Sequence, residues 1–240
     1  MVTVNALANI LPINGVTTGA VSDSYGNLFA PAGITFAIWG VIYLLLLMFS
    51  VYQCRGFGGG DNAFIEKAGW YFALSCVANA AWIIAWHYDF LLVSLILMIA
   101  ILTSLITIYV RLDIGRTAVS RMERWFVQIP FSVYLGWITV AAIANATALF
   151  VSLSWDGFGI SPVVWTVIVI AAAVIITAAV LVTRRDIAYA LVVIWALSGI
   201  IIKRMTVAPV FTTIVIVCGV GILLILAAGV FSLFKKPAAA

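Results

Sequence analysis

The chain predicts an all-α protein, a polytopic bundle of transmembrane helices, and three observations carry that class. Hydrophobic residues make up 66% of the 240 positions and charged ones only 8%, a composition that no water-soluble core requires. Apolar runs long enough to cross about 30 Å of hydrocarbon as helices recur along the whole length. The basic residues fall between those runs rather than inside them. The net charge of +4 comes from twelve Lys and Arg scattered over short loops, so no basic face for nucleic acid forms.

The first apolar stretch, Val2 to Leu11, has about ten residues, too few to span a bilayer at 1.5 Å per residue. It predicts a short or truncated first helix, and it lacks the basic start of a secretory leader. Full spans are expected near residues 33–53, 69–87, 90–110, 125–150, 162–183, 187–202 and 207–234. The run at 187–202 is the shortest, about 16 residues, and leaves a re-entrant hairpin open there. Between the first two spans, Gly56 to Asn62 predicts an exposed loop, and Ala238–Ala240 a loose end.

Loop charge orients the bundle. With residues 12–32 outside, Arg55, Lys67, Arg111, Arg116, Arg121, Arg124, Arg184, Arg185, Lys235 and Lys236 gather inside, and only Lys203 and Arg204 are left out. The expectation is an integral protein of a bacterial or archaeal cytoplasmic membrane with a cytoplasmic C-terminus.

Two segments at membrane depth stack polar and aromatic residues on one helical face: Asn79, Trp82 and Trp86, then Tyr134, Trp137, Ala141 and Asn145. An unpartnered amide or indole N–H is costly in hydrocarbon, so such ladders face each other or a ligand. The stretch NLFAPAGITFAIWGVIYLLL adds Pro31, tolerated at a helix start, and Trp39 and Tyr43 four residues apart on one face.

Here the chain resembles the TspO/MBR family, the tryptophan-rich sensory or translocator proteins. That family opens its second helix with T-P-P-G followed by a Trp and a Tyr; this chain has Ala30-Pro31-Ala32-Gly33. CVANAAWIIAW, with Asn79 and Trp82, is similar to the third-helix pattern. IPFSVYLGWITVAAIAN, with Pro130, Trp137, Ala141 and Asn145, is similar to the fifth-helix signature. The resemblance divides the chain into a TspO-like five-helix core at 1–150 and about three additional transmembrane helices in 151–240. It implies a tetrapyrrole such as protoporphyrin or haem, or a sterol-like lipid, in a cavity lined by Trp39, Asn79, Trp137 and Ala141 beneath a cover formed by residues 12–32.

The residues themselves point the same way. An apolar cavity walled by indoles with a few amides suits a planar hydrophobic molecule, and no charge sits mid-span to relay protons or couple ions. The candidate ligand-binding set is Pro31, Trp39, Tyr43, Asn79, Trp82, Trp86, Tyr134, Trp137, Ala141 and Asn145. Asn5 and Asn9 are either further interior amides or a solvated start. Each also has a plainer role: amides can glue helices, and Ala141 can be only a packing residue. Trp70, Trp125, Trp155 and Trp165, at helix ends, are expected as interfacial anchors.

His87 is expected at the surface of a helix end, an axial haem ligand being the alternative. The arginine loop from Arg111 to Arg124 predicts topology charge, with anionic headgroups or propionates as a second option. Lys203, abutting Arg204, is a poor retinal attachment site. Cys54, Cys76 and Cys218 are spaced for neither metal nor disulfide. With one histidine and no catalytic motif, the chain is not expected to be an enzyme, and no metal or obligate cofactor is expected. The expected partners are a hydrophobic small molecule and membrane lipid. Small residues at Ala171–Ala173, Ala178, Ala179, Gly219 and Gly221 allow close helix approach within the chain or in a homodimer. The competing class is a structural or transporter subunit of a membrane complex with no small ligand.

Overall fold

The computed structural model describes residues 1–10, 13–54 and 63–234. The loop expected at Gly56–Asn62, Arg55, Lys235, Lys236, the end at Ala238–Ala240 and the side chain of Asn9 lie outside the described residues. Nine helices form among those described: α1 (Val2–Ile10), α2 (Thr18–Ser24), α3 (Ile38–Cys54), α4 (Ala63–His87), α5 (Leu91–Arg111), α6 (Ile129–Ser152), α7 (Pro162–Arg184), α8 (Ile187–Thr206) and α9 (Thr212–Phe234). Seven are long and apolar enough to cross a membrane, α3 with its leading turn and α6 with its preceding residues included. The all-helical class expected from composition is the observed one.

Helix boundaries follow local chemistry. Ser161 caps α7 by accepting from the Val164 N–H, and Pro162 takes the first helical position, where its missing donor costs nothing. Asp186 caps α8 through the Tyr189 N–H at 3.1 Å and also accepts from the Tyr109 hydroxyl at 2.8 Å. That second bond ties the α7–α8 turn to the end of α5. A single wide turn, Arg124–Gln128, runs into α6 just before Pro130.

Two boundaries differ from expectation. Helix α4 starts at Ala63 rather than near 69, because Glu66 and Lys67 extend it beyond the apolar stretch. Helix α8 reaches Thr206 instead of stopping near 202, and its 20 residues make a full span, so no re-entrant hairpin forms. Hydropathy ends that segment at Lys203 and Arg204, yet both are buried. Their side chains are accommodated by tertiary partners described below.

Helix α6 is the hub and the most deeply buried of the seven spans. It packs against α5 on one side and α8 on another, and touches α3; α4 packs along α5, and α1 and α2 lean on α4. Helices α7 and α9 pair with each other and with α8. A Cβ on Gly221 of α9 would come within 2.8 Å of Val174 in α7, so that glycine serves close approach inside the chain. Outward-facing Val, Ile and Leu on α3, α4, α5, α7 and α9 are what a lipid-facing surface requires.

Of the expected anchors, Trp125 and Trp155 are exposed beside helix ends; Trp70 is exposed but lies two turns inside α4, because that helix starts at Ala63; and Trp165 is half-buried with its indole N–H on the Gly157 carbonyl at 2.9 Å. Cys54, Cys76 and Cys218 are all free thiols.

Candidate functional site

Helices α3, α4 and α6 each carry an indole to a common point. Trp39 of α3 sits with its ring centroid 5.8 Å from Trp82 of α4 and 6.2 Å from Trp137 of α6, the latter edge-on at 83°. Trp82 stacks on Trp86 at 6.0 Å, and Phe36 meets Trp137 edge-on at 5.8 Å. These offset and edge-to-face arrangements are the ones aromatic quadrupoles favour. The spacing behind them is plain: Trp82 and Trp86 are one turn apart on α4, and Trp137, Ala141 and Asn145 are successive turns of α6.

Between these rings lies a cavity of about 30 Å³, lined by Pro31, Trp39, Trp82, Trp86, Trp137, Ala141 and Asn145, together with Thr18, Ser22, Phe36, Val140 and Ala144. No lining residue is charged. Its walls hold three buried polar atoms without a partner: the indole N–H groups of Trp82 and Trp137, and the Asn145 side-chain oxygen. Asn145 spends its amide N–H on Ser94 at 2.7 Å, which leaves that oxygen free. Buried polar groups are almost always bonded, so two donors and an acceptor around one apolar space form an unfilled polar set.

Seven of the ten candidate residues thus line one space. The other three do not line it. Asn79 is fully buried and bonded, accepting from Asn5 at 2.7 Å and donating to the Tyr134 hydroxyl at 3.1 Å. Tyr134 is equally enclosed and packs edge-on to Trp39, while Tyr43 stacks on Trp39 at 5.5 Å. Asn5, Asn79 and Tyr134 tie α1, α4 and α6 together one or more turns beyond the cavity. The Tyr43 hydroxyl is buried without a partner.

A lid closes the cavity. It runs from Ile13 through α2 to Ala32, and Thr17 starts α2 by accepting from the Ala20 N–H. Asn27 anchors its far end on α6, donating to Thr147 at 2.6 Å and to the Ala144 carbonyl at 3.1 Å. On α4, Trp86 donates to the Thr18 carbonyl at 3.2 Å, and just past the end of that helix Asp89 accepts from the Tyr25 hydroxyl at 2.5 Å. Burial and that bond to Asp89 hold the Tyr25 phenol above its usual range.

His87 corrects the expectation of a surface residue. It is fully buried, and both ring nitrogens are engaged by the lid: Nδ1 with the Ile13 carbonyl at 3.1 Å and Nε2 with the Thr18 hydroxyl at 3.1 Å. A carbonyl only accepts, so Nδ1 is the donor there. With both nitrogens committed, the ring is a lid clasp and has no nitrogen to offer iron in this arrangement. Among the described residues, no three His, Cys, Asp or Glu side chains gather where a metal ion could be held.

The sequence signals for Thr18 and Ser22 were weak, since a seven-residue helix shows no apolar period; the N-capping Thr17 is the one local cue. The cavity wall itself follows the indole spacing.

A family model described as TSPO-like protein matches residues 1–231. The chain belongs to the TspO-like family. That match runs through α7, α8 and most of α9 as well as the first 150 residues. No curated protein and no solved structure matches the chain.

Proposed function

We propose that this TspO-like membrane protein binds a planar hydrophobic ligand, a tetrapyrrole such as protoporphyrin or haem or a sterol-like lipid, and senses or translocates it. One observation carries the reading: an indole-walled apolar cavity retains two N–H donors and one amide oxygen with nothing to bond. The walls supply stacking surface and the three polar atoms supply orientation, the usual division of labour in a small-molecule site.

At about 30 Å³ the closed cavity holds no more than about two water molecules. Sites for drug-sized ligands run to several hundred Å³. Entry therefore requires the lid to move, which breaks its hydrogen bonds to α4 and α6 and disturbs the packing of Val21 and Phe29 in the apolar core. Binding and lid displacement are coupled events in this reading, which is what a sensor or translocator needs. No residue acts as an acid, base or nucleophile in it, so the protein is a binder rather than an enzyme. In this reading the lid end faces outside and the C-terminus lies in the cytoplasm of a prokaryotic cell, a topology that the distribution of loop charges supports.

The test is tryptophan fluorescence of the purified full chain in lipid nanodiscs. Protoporphyrin IX is expected to quench saturably with one site per chain. Trp137→Ala, which removes a wall and a donor, is expected to weaken binding at least tenfold, the worth of roughly 1.4 kcal/mol. Quenching that rises linearly without saturation, or is indifferent to Trp137, contradicts the proposal.

A further inference from the structure

The two basic residues that break the charge asymmetry, Lys203 and Arg204, stand at the lid end of α8. That helix touches the lid, or the turn that follows it, at three successive points. Trp195 donates from its indole to the Thr35 carbonyl at 2.9 Å. The Gly199 carbonyl accepts from the Ala32 N–H at 3.0 Å. One turn further on the same face, Lys203 pairs with Asp23 of α2. Ala32 follows Pro31 and Asp23 follows Ser22, and both Pro31 and Ser22 line the cavity. Lys203 therefore meets the lid one residue along the chain from the cavity-lining Ser22, with Arg204 beside it in sequence.

Lys203 and Arg204 are only 8% and 6% exposed. Charged side chains at that burial are normally matched by acceptors. Among the described residues, Asp23 is the carboxylate bonded to the pair, through Lys203. Arg204 rests 6.0 Å over the Phe211 ring, and its Nε is buried without a hydrogen-bond partner. Position at a helix C-terminus favours a cation by about 0.3–1 kcal/mol, which accounts for finding basic residues there. It does not account for burying the Arg204 Nε–H without an acceptor, a costlier arrangement.

We propose that Lys203 and Arg204 recognise the acidic group of the ligand that enters the cavity, and that Asp23 occupies this place while the lid is closed. The ligand class is a planar apolar body carrying a carboxylate. The inference rests on the cavity reading above. Entry requires α2 to move, and moving α2 withdraws Asp23 from Lys203. Two cations are then left at the mouth, and a ligand carboxylate replaces the lid's, with Arg204 offering the forked geometry that carboxylates accept. A neutral ligand of the same shape leaves both cations unmatched, so the exchange discriminates acids from esters.

The experiment compares protoporphyrin IX with its dimethyl ester, the same ring without charge, by fluorescence quenching of the full chain in zwitterionic nanodiscs. The wild type is expected to bind the acid roughly tenfold tighter, as a charge-assisted hydrogen bond implies. In Arg204→Gln and Lys203→Gln that ratio is expected to fall toward one, with Arg204→Lys keeping most of it; the ester titration reports the folded cavity in each variant. Asp23→Asn is expected to raise the ratio, because the competing carboxylate is gone. An unchanged ratio in Arg204→Gln overturns the proposal, as does an Asp23→Asn variant that tightens acid and ester equally, since Asp23 is then only a latch. So does a loss of phosphatidylglycerol retention by Arg204→Gln at constant ratio, which assigns the pair to lipid headgroups. Failure of both porphyrins to bind sinks the cavity reading itself and is recognisable because no ratio exists.

Discussion

Replacing Gly199 with alanine is expected to lift α8 off the turn that leads into α3 and to loosen the lid. A Cβ at that position would lie 2.0 Å from the Thr35 hydroxyl oxygen and 2.8 Å from its methyl. Thr35 is buried, so its side chain has little space to retreat. Overpacking of this kind costs roughly 1–3 kcal/mol, and the upper half of that range applies because hydrogen bonds sit on either side of the clash. The Ala32–Gly199 and Trp195–Thr35 bonds and the Lys203–Asp23 pair all depend on the same helix-to-lid distance. Thermal unfolding in detergent is expected at lower temperature, and amide exchange is expected to rise at residues 13–37 more than in α5. Adding Thr35→Ala removes the two closest atoms and is expected to restore part of the loss. A Gly199→Ala protein with wild-type stability and lid protection contradicts this account of how α8 holds the lid.

Asn79→Leu is expected to be the most disruptive single change in the core away from the lid. The substitution keeps volume but removes one acceptor of Asn5, whose amide keeps the Met1 carbonyl, and the donor to Tyr134, both buried. In water-soluble proteins each orphaned buried group costs about 1–3 kcal/mol, whereas hydrogen bonds between transmembrane helices average nearer 0.6. The membrane figure governs here, because the separated helices also find partners in lipid, and a total of roughly 1–2 kcal/mol results for the two bonds. The loss is expected to appear as detachment of α1, read by faster exchange at residues 2–10. Tyr134→Phe in the same background is expected to cost less than its own single-variant value, since the donor it served is already gone. Additive costs in that cycle would show that Asn79 and Tyr134 do not act as a unit.

The fold was largely legible because membrane length and hydropathy constrain helices strongly: all seven spans and the short first helix follow from residue type and period, whereas the central place of α6 does not. The cavity wall was legible for the same reason, since Trp82 and Trp86, and Trp137, Ala141 and Asn145, repeat at one-turn spacing. What spacing does not carry is depth. It places Asn79 on the face of Trp82 correctly, but not that Asn5 and Tyr134 absorb its amide a turn from the cavity.

Long-range partnering was the other blind spot. His87 looks like a surface residue until Ile13 and Thr18, about seventy positions away, close over it. Lys203 and Arg204 look like a loop by hydropathy, and they extend α8 because Asp23 and Phe211 receive them. The lid helix α2 has no apolar period to announce it, only a capping threonine. Each of these misses lies on the lid or beneath it, where sequence-distant contacts rather than local pattern decide the structure.

The most direct test of the central claim is a density map of the full chain in nanodiscs with saturating protoporphyrin IX. The account predicts one planar density between Trp39, Trp82 and Trp137, within hydrogen-bond reach of the free Trp82 and Trp137 N–H groups or the Asn145 oxygen, with residues 13–32 displaced from their contacts with α4. A cavity still closed over Trp137 at saturation, with porphyrin seated only on the lipid-facing surface, would contradict it.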